Sequence, residues 1–499
     1  MDIQIKNFKG ITNFKYNNVS PLTILSGVNS GGKTSFIQSL LMLKQSYEQG
    51  EEKRPIVLNG KYAKLGSFRD ALNQDKKDLK KDIEIEFVMH KKDFSRRDLI
   101  HLVRSVYLSS DREQVRKQNL NKEFTERLNK VIVSYKFNTK MKNKVVLPVR
   151  VNYSVFFEGI INPIFLEFQQ SRMYKYIIKT NSNFFIKSAR SSNGNMFSLD
   201  NPIFSKDYQE SHNIYFDQLL PSFGDRAIWD ESDNKIAIRL AGILSRKIFD
   251  FLEKISYLGP LRDEPHSLYI RENDIVLDIG IKGEHTGNIF SNNYLEKVEY
   301  PVFNKKNELD TVQGILEDGV NYWINEVFEL AKKISVIPYK NGRIQEIEVT
   351  NYRGVKSSLS SVGFGISQIL PIIVEGILCE RGTTLILEQP EIHLHPRIQS
   401  LLFDFFRGLI LCDKKVIVET HSDHLISKMQ LRIAEDVSDS LSKKINLFFV
   451  DNFGSISSIE IDKFGNFDSW PEGFFDQFNN NISALLEAQI ARRKNDVYN

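Results

Sequence analysis

The residues best placed to do chemistry are Gly27-Val28-Asn29-Ser30-Gly31-Gly32-Lys33-Thr34, with Ser35 following. Their spacing is G-x-x-x-x-G-K-[ST], and each residue type has a reason to stand where it does. Glycines let the backbone turn tightly, so that N–H groups around Asn29, Ser30, Gly31 and Gly32 face phosphate oxygens. Lys33 is long enough to reach the β and γ phosphates, and the Thr34 hydroxyl suits Mg²⁺. A helix starting here adds the favourable field of its N-terminus. Such a loop needs a metal-holding carboxylate where a neighbouring buried strand emerges, and Thr383-Thr384-Leu385-Ile386-Leu387 leads into Glu388. ATP and Mg²⁺ are the expected ligands, with Thr34 and Glu388 as the metal residues.

The run Gln389-Pro390-Glu391-Ile392-His393-Leu394-His395-Pro396 is dense in polar groups for a strand exit. A rival reading makes Glu391, His393, His395, His421, Asp423 and His424 a metal centre, since imidazole and carboxylate are suitable ligand types. The nucleotide loop already explains why acids and histidines gather here.

The elements that must position these groups follow from periodicity. Ile3 to Phe8 alternates as a strand, Leu22 to Ser26 is a continuous buried strand, and Ser35 to Tyr47 is a helix with a wide apolar face. A second block has a helix from Ile366 to Cys379, a strand from Thr383 to Leu387, a helix from Ile398 to Leu409 and a strand from Lys415 to Val418. Strands alternating with helices indicate parallel α/β units. Residues 66–339 read as an α+β insertion, with strands Ile83 to Met89 and Val145 to Phe157 and helices Ile236 to Ile255 and Val312 to Leu330. The expected fold is an α/β P-loop NTPase, its nucleotide domain assembled from residues 1–65 and 340–455, with 456–499 as an extension. The Asn/Ser-rich stretch Asn181 to Asn201 reads as a flexible loop.

Composition excludes several classes. The 499 residues are 41% hydrophobic and 26% charged, a globular balance rather than a disordered one. No apolar run is long enough for a membrane helix, and the start Met-Asp-Ile-Gln-Ile-Lys lacks a secretory pattern, so a cytoplasmic protein is expected. Two cysteines, Cys379 and Cys412, cannot make a disulfide framework or a cysteine-based zinc site. Net charge is +4, yet Lys76 to Arg150 holds roughly 20 basic against about 10 acidic residues. A basic nucleic-acid face is one reading of that stretch; the other is a solvated surface, because acids are interleaved and aromatics are sparse.

The second cluster, Lys415-Val416-Ile417-Val418 leading into Glu419-Thr420-His421-Ser422, taken with Leu387-Glu388-Gln389-Pro390-Glu391-Ile392-His393-Leu394-His395-Pro396, resembles the ABC-class ATPases related to RecF, the SMC heads and the OLD proteins. The resemblance implies an ABC-ATPase head fold. It also implies that Leu359 to Pro371, a degenerate signature, offers Gly363, Gly365, Ser367 and Gln368 to the γ-phosphate of ATP on a second subunit. His421 corresponds to the family's switch histidine. Tyr257-Leu258-Gly259-Pro260-Leu261-Arg262 and Trp470-Pro471-Glu472-Gly473-Phe474-Phe475-Asp476 look like a subgroup of AAA-family ATPases from bacterial defence islands, among them Septu-type and PARIS-type subunits.

Two departures from the family pattern bear on function. The family's metal-holding acid is followed by a glutamate that activates water, but here Gln389 follows Glu388, and an amide cannot accept that proton. Hydrolysis is then slow, or Glu391 or Glu419 substitutes as base. Further, 78 residues follow His421, too few for the Toprim domain of OLD nucleases, so nuclease chemistry is expected on a partner protein. The leading expectation is a self-associating ATPase whose ATP-dependent closure controls an effector, a nuclease, in anti-phage defence. The alternatives are a DNA-repair or DNA-translocation ATPase and an ATP-locked scaffold with little turnover.

Overall fold

The computed structural model describes residues 1–16, 20–27, 32–73, 82–99, 125–139, 145–159, 162–172, 175–180, 208–217, 219–223, 234–270, 278–339, 344–451, 455–468 and 485–489. The chain packs as two compact units, one of residues 1–19 and 35–253, the other of 20–34 and 254–499. Asn181 to Asn201 and Trp470 to Asp476 lie outside the described residues, as does most of the basic stretch between Lys76 and Glu126 apart from 82–99.

The second unit is built on a six-stranded sheet in the order β11 (Ile255–Leu258), β18 (Thr384–Glu388), β19 (Lys415–Glu419), β3 (Leu22–Gly27), β20 (Ile445–Val450), β21 (Ile456–Ile459). The first five run parallel and only β21 is antiparallel. Continuous apolar runs such as Leu385-Ile386-Leu387 and Val416-Ile417-Val418 suit strands buried on both faces. Of the helices, α1 (Lys33–Gln49) starts directly past β3 and, beyond its first two residues, belongs with α2 (Asn234–Glu253) to the other unit, while this unit holds α3 (Phe364–Leu378) before β18, α4 (Pro396–Leu411) after it and α5 (Asp423–Glu435) after β19. One strand from the segment expected to form the insertion, β11, lies in this sheet. The same unit holds β12 (Tyr269–Ile270), β15 (Lys333–Tyr339), β16 (Ile344–Thr350) and β17 (Lys356–Ser358) in a small sheet, and the hairpin β13 (Lys297–Phe303) with β14 (Leu309–Ile315).

The other unit is a nine-stranded sheet, β10 (Leu220–Phe223), β9 (Tyr208–Asp217), β8 (Lys175–Thr180), β7 (Ile164–Arg172), β6 (Val146–Phe157), β5 (Leu128–Thr139), β4 (Ile83–His90), β1 (Asp2–Phe8), β2 (Ile11–Tyr16). Every described pairing in it is antiparallel. Alternate residues, among them Ile5, Ile85, Phe87, Val133, Tyr135, Tyr153 and Phe168, are buried. Helix α2 is fixed to the sheet by Ser245, whose Oγ lies 3.4 Å from the Tyr135 hydroxyl and 3.1 Å from that of Tyr153. Some basic residues of the described part are paired with acids. Lys6 and Lys136 flank Glu84 at 3.5 and 3.3 Å, and Arg150 and Lys179 flank Glu167 at 3.5 and 3.9 Å.

Two expected helices are corrected. Val312 to Leu330 is not one helix: Val312 to Ile315 belong to β14, paired with β13, and helix begins only at Leu316, continuing as a π-type turn from Tyr322 to Val327. Thr311 and Val312 have the branched side chains that suit a ladder, and cross-strand pairing with Tyr300 and Pro301 overrides the helical spacing. The helix expected to reach Ile255 stops at Glu253, because Ile255 opens β11.

Helices α4 and α5 each begin at a loop that leaves a sheet strand, and Asp404 of α4 joins them through ion pairs with Arg432 and, at 3.7 Å, Lys428 of α5. Asp404 is fully buried and accepts from Arg432 Nε at 2.7 Å and Nη2 at 2.8 Å, a bidentate pair. Removing one side of such a pair costs about 3 kcal/mol or more. Asp404→Ala should therefore lower the thermal midpoint of the purified chain by several degrees, read by circular dichroism; a midpoint equal to wild type would show that α4 and α5 are held without it.

Candidate functional site

The carboxyl ends of β3, β19 and β18 meet at one edge of the parallel sheet, where ligands gather in open α/β folds. Gly27 ends β3 with φ +138°, and a Cβ there would overlap the Val450 carbonyl oxygen on β20, so the sheet itself demands glycine. Gly32 has φ +100° immediately before α1. Asn29, Ser30 and Gly31 lie outside the described residues. Lys33 and Thr34 form the first turn of α1, and Ser35 behind them is buried. Lys33 Nζ donates to the Gly27 carbonyl at 3.0 Å. Burial pushes this ammonium below its usual range, and the nearby Glu419 carboxylate opposes that shift.

Strand pairing sets the acids. Glu388 and Glu419 are direct register partners at the ends of β18 and β19, both buried. Thr34 Oγ1 donates to Glu419 Oε1 at 3.0 Å, whereas Glu388 Oε1 accepts from the Tyr257 hydroxyl at 3.0 Å. Of the two carboxylates, Glu419 is thus the one hydrogen-bonded to Thr34, and Glu388 stands one strand further along. Burial raises the Glu388 carboxyl to about 7, and the neighbouring Glu419 charge adds to the rise. Glu419 is also raised, by burial first, with Thr34 and Lys33 opposing.

Beyond Glu388 the backbone doubles back. Gln389 adopts φ +44° while its N–H donates to the Glu419 carbonyl at 2.7 Å, and His393 adopts φ +62°. Non-glycine residues in this region concentrate where function holds the backbone. Glu391, buried, accepts from the His421 backbone N–H at 2.6 Å, which ties the loop after β18 to the loop after β19. His421 is half-buried, and its imidazole is pushed below its usual value by burial and by Lys33. His395 caps α4, its Nδ1 accepting from Arg397 N–H at 3.3 Å, and Ser422 caps α5. Among the described residues, no group of three or more His, Cys, Asp or Glu side chains is arranged to hold a metal, which counts against the centre of histidines and acids.

A Mg²⁺ ion held by nucleotide phosphates, waters and one or two protein oxygens does not need such a cage. The orphaned buried atoms fit this arrangement: Glu419 Oε2, Glu391 Oε2 and Ser26 Oγ have no hydrogen-bond partner among the described residues. Thr34, Glu419 and Glu388 are the oxygens that could hold the ion. Gly363 caps α3, is exposed, and has nothing within 4 Å of where a Cβ would stand. Gly365 is nearly as open, and Ser367 and Gln368 are buried one turn later. Tyr257 and Arg262 join the site although the sequence singled them out only as a motif. Tyr257 lies on β11, a short strand that only its pairing with β18 shows to end beside Glu388, and Arg262 follows that strand by four residues.

Residues 1–426 match the family model described as AAA ATPase domain, and residues 441–485 match one described as Protein of unknown function (DUF3696). The Old nuclease of Escherichia phage P2 is 23% identical over 185 residues, 33% of this chain and 31% of that protein, so the match spans under a third of the relative's length. The SMC head domain from Thermotoga maritima is similar with a TM-score of 0.34 and 10% identity, covering 92% of this chain and 98% of that one. The Pyrococcus furiosus Smc head domain bound to the C-terminal domain of ScpA gives a TM-score of 0.32 and 9% identity, covering 98% of both. The fold is α/β: a mainly parallel six-stranded sheet carries the glycine loop's flanking residues and both acids, and a separate nine-stranded antiparallel sheet accompanies it. With the AAA ATPase domain model matching residues 1–426 of 499, the chain belongs to that family.

Proposed function

We propose that this chain is an ATPase that binds Mg·ATP at Gly27 to Thr34 and uses ATP-dependent closure between subunits to control a partner effector of the nuclease class in anti-phage defence. The observation that carries the nucleotide reading is the row of groups at the strand ends: Lys33 and Thr34 on α1, Glu419 bonded to Thr34, and Glu388 beside it. The phosphates would lie against the N-terminus of α1, with Lys33 leaving the Gly27 carbonyl for a phosphate oxygen. Closure is supported by Gly363, a glycine with negative φ, since nothing among the described residues requires the missing side chain. A second copy approaching closely would. The likeness to a phage nuclease supports the defence setting, and we assign the nuclease chemistry to a partner.

Gln389 cannot take a proton, so another group must orient and deprotonate the attacking water if turnover is fast. Glu391 is the better candidate: one oxygen is held by His421 N–H, while Oε2 is buried and unpartnered. Glu419 already serves Thr34.

Lys33→Ala should abolish ATP binding measured by calorimetry on the full chain; affinity within two-fold of wild type would overturn the nucleotide site. Glu391→Gln keeps an acceptor for His421 N–H but loses the base, and should lower kcat about 10²-fold with ATP affinity little changed. Equal turnover in that variant would pass the base role to Glu419 or show that the chain hydrolyses ATP without one. Glu388 supplies a pH signature. Its folded value lies near 7 against 4.5 ordinarily, so its contribution to stability is fully present below about 4.5 and is lost as pH rises through 7. Without nucleotide, the thermal midpoint should fall between pH 5 and 8, and Glu388→Gln should flatten that slope; parallel profiles would show that Glu388 is not the group responsible.

A further inference from the structure

Arg262 has no role in the site as described, yet its surroundings are those of a binding group. It follows β11 by four residues, on a loop anchored on both sides by Gly259 N–H to the Ile281 carbonyl at 2.7 Å and Asp263 N–H to the Lys282 carbonyl at 2.9 Å. Its Nε and Nη1 are buried and have no hydrogen-bond partner among the described residues. Leaving two donors of a charged guanidinium unmet in the interior is expensive. Tyr257, Glu388 and Glu391 are close enough to stabilise its charge, and burial lowers its pKa to about 10. None of these acids forms an ion pair with it within 4 Å among the described residues. Arg262 is among the residues lining a cleft of about 360 Å³, with Ser367, Gln368 and His393.

Strand order places this donor relative to the nucleotide. Along the carboxyl ends of β11, β18, β19 and β3 stand Arg262, Glu388, Glu419 and then Lys33. Three strand spacings make roughly 14 Å, so the two cations bracket two carboxylates. A triphosphate anchored at Lys33 and extending along that row would bring its terminal group towards Arg262.

We propose that Arg262 binds the terminal phosphoryl group of the nucleotide held by its own chain, offering Nε–H and Nη1–H to two of its oxygens and thereby distinguishing ATP from ADP. The fork geometry of a guanidinium fits two oxygens of one phosphoryl group, which a lysine cannot match. The assignment rests on the nucleotide site proposed above. It gives Tyr257 a purpose, since by bonding Glu388 it holds that acid off the guanidinium. It also connects the nucleotide to the Ser367-Gln368 turn of α3, which lines the same cleft.

The test uses the full chain with Arg262→Ala and Arg262→Lys, measuring affinity for Mg·ADP and for a slowly hydrolysed ATP analogue, together with kcat. Arg262→Ala should bind ADP within about two-fold of wild type, lose its preference for the ATP analogue, and turn over about 10²-fold more slowly. Millimolar guanidinium ion should restore part of that turnover. Arg262→Lys, which keeps the charge, should recover part of the preference and covers the case in which the alanine variant is unstable. An unchanged preference in both variants overturns the assignment, as does a parallel loss of ADP and ATP affinity that guanidinium does not repair. Mixing Arg262→Ala with Lys33→Ala separates the two sources of phosphoryl group: activity should stay low, and recovery would show that Arg262 serves a second subunit's nucleotide instead. A wild type whose ATP affinity equals that of Lys33→Ala would remove the nucleotide site itself, a failure visible before any Arg262 variant is made.

Discussion

Two buried carboxylates side by side are the constraint around which this site is organised. Glu388 and Glu419 end neighbouring parallel strands, so their backbones are held one strand spacing apart whatever their charges prefer. Burial raises both carboxyls, the Glu419 charge adds to the rise at Glu388, and hydrogen bonds from Tyr257 and Thr34 oppose it. Such a pair is a poor stabiliser and a good cation site. A divalent ion with its phosphates would supply the positive charge and the missing donors together, so that binding removes a penalty the fold otherwise carries. Lys33 has the matching problem, a buried ammonium resting on a carbonyl.

The backbone around these groups is arranged at comparable cost. Gln389 and His393 take left-handed conformations, and the loop containing them contributes Glu391 to the His421 N–H and His395 to the cap of α4. The other loop caps α5 through Ser422, whose hydroxyl also donates to Gln399 on α4 at 2.7 Å. The positions of Glu391 and His421 are thus set by helices that cannot shift independently, because Asp404 and Arg432 join them further along.

Much of this was legible in the sequence, and the rest was hidden for identifiable reasons. The buried strands before Glu388 and Glu419 and the helices after them are local patterns, and each lies within a few residues of its expected place. That Thr34 bonds Glu419 instead of Glu388 depends on strand order, which no local pattern contains: β19 lies between β3 and β18, so the nearer acid comes from the later strand. Tyr257 was hidden similarly, since a four-residue strand carries too little periodicity to announce its neighbour. The strand Val312 to Ile315 was hidden by the opposite fault, a spacing that suits a helix equally well until the partner strand is known. Ile3 to Phe8 and Leu22 to Ser26 looked like one block because they are close in sequence, yet they join different sheets.

The same strand order explains why a substitution at Gln389 need not silence the site. Gln389 stands where the backbone turns, and its N–H is spent on the Glu419 carbonyl. A side chain leaving a residue of φ +44° is directed differently from one on an extended strand, so the position is defined as much by backbone as by side-chain chemistry. Glu391, two residues on, is buried with one oxygen fixed and the other free to accept. If proton transfer has moved, it has moved to a carboxylate whose hydrogen bond already reports the position of His421. Water activation and the placement of His421 would then depend on one residue, and a shift of the loop after β19 would alter both at once.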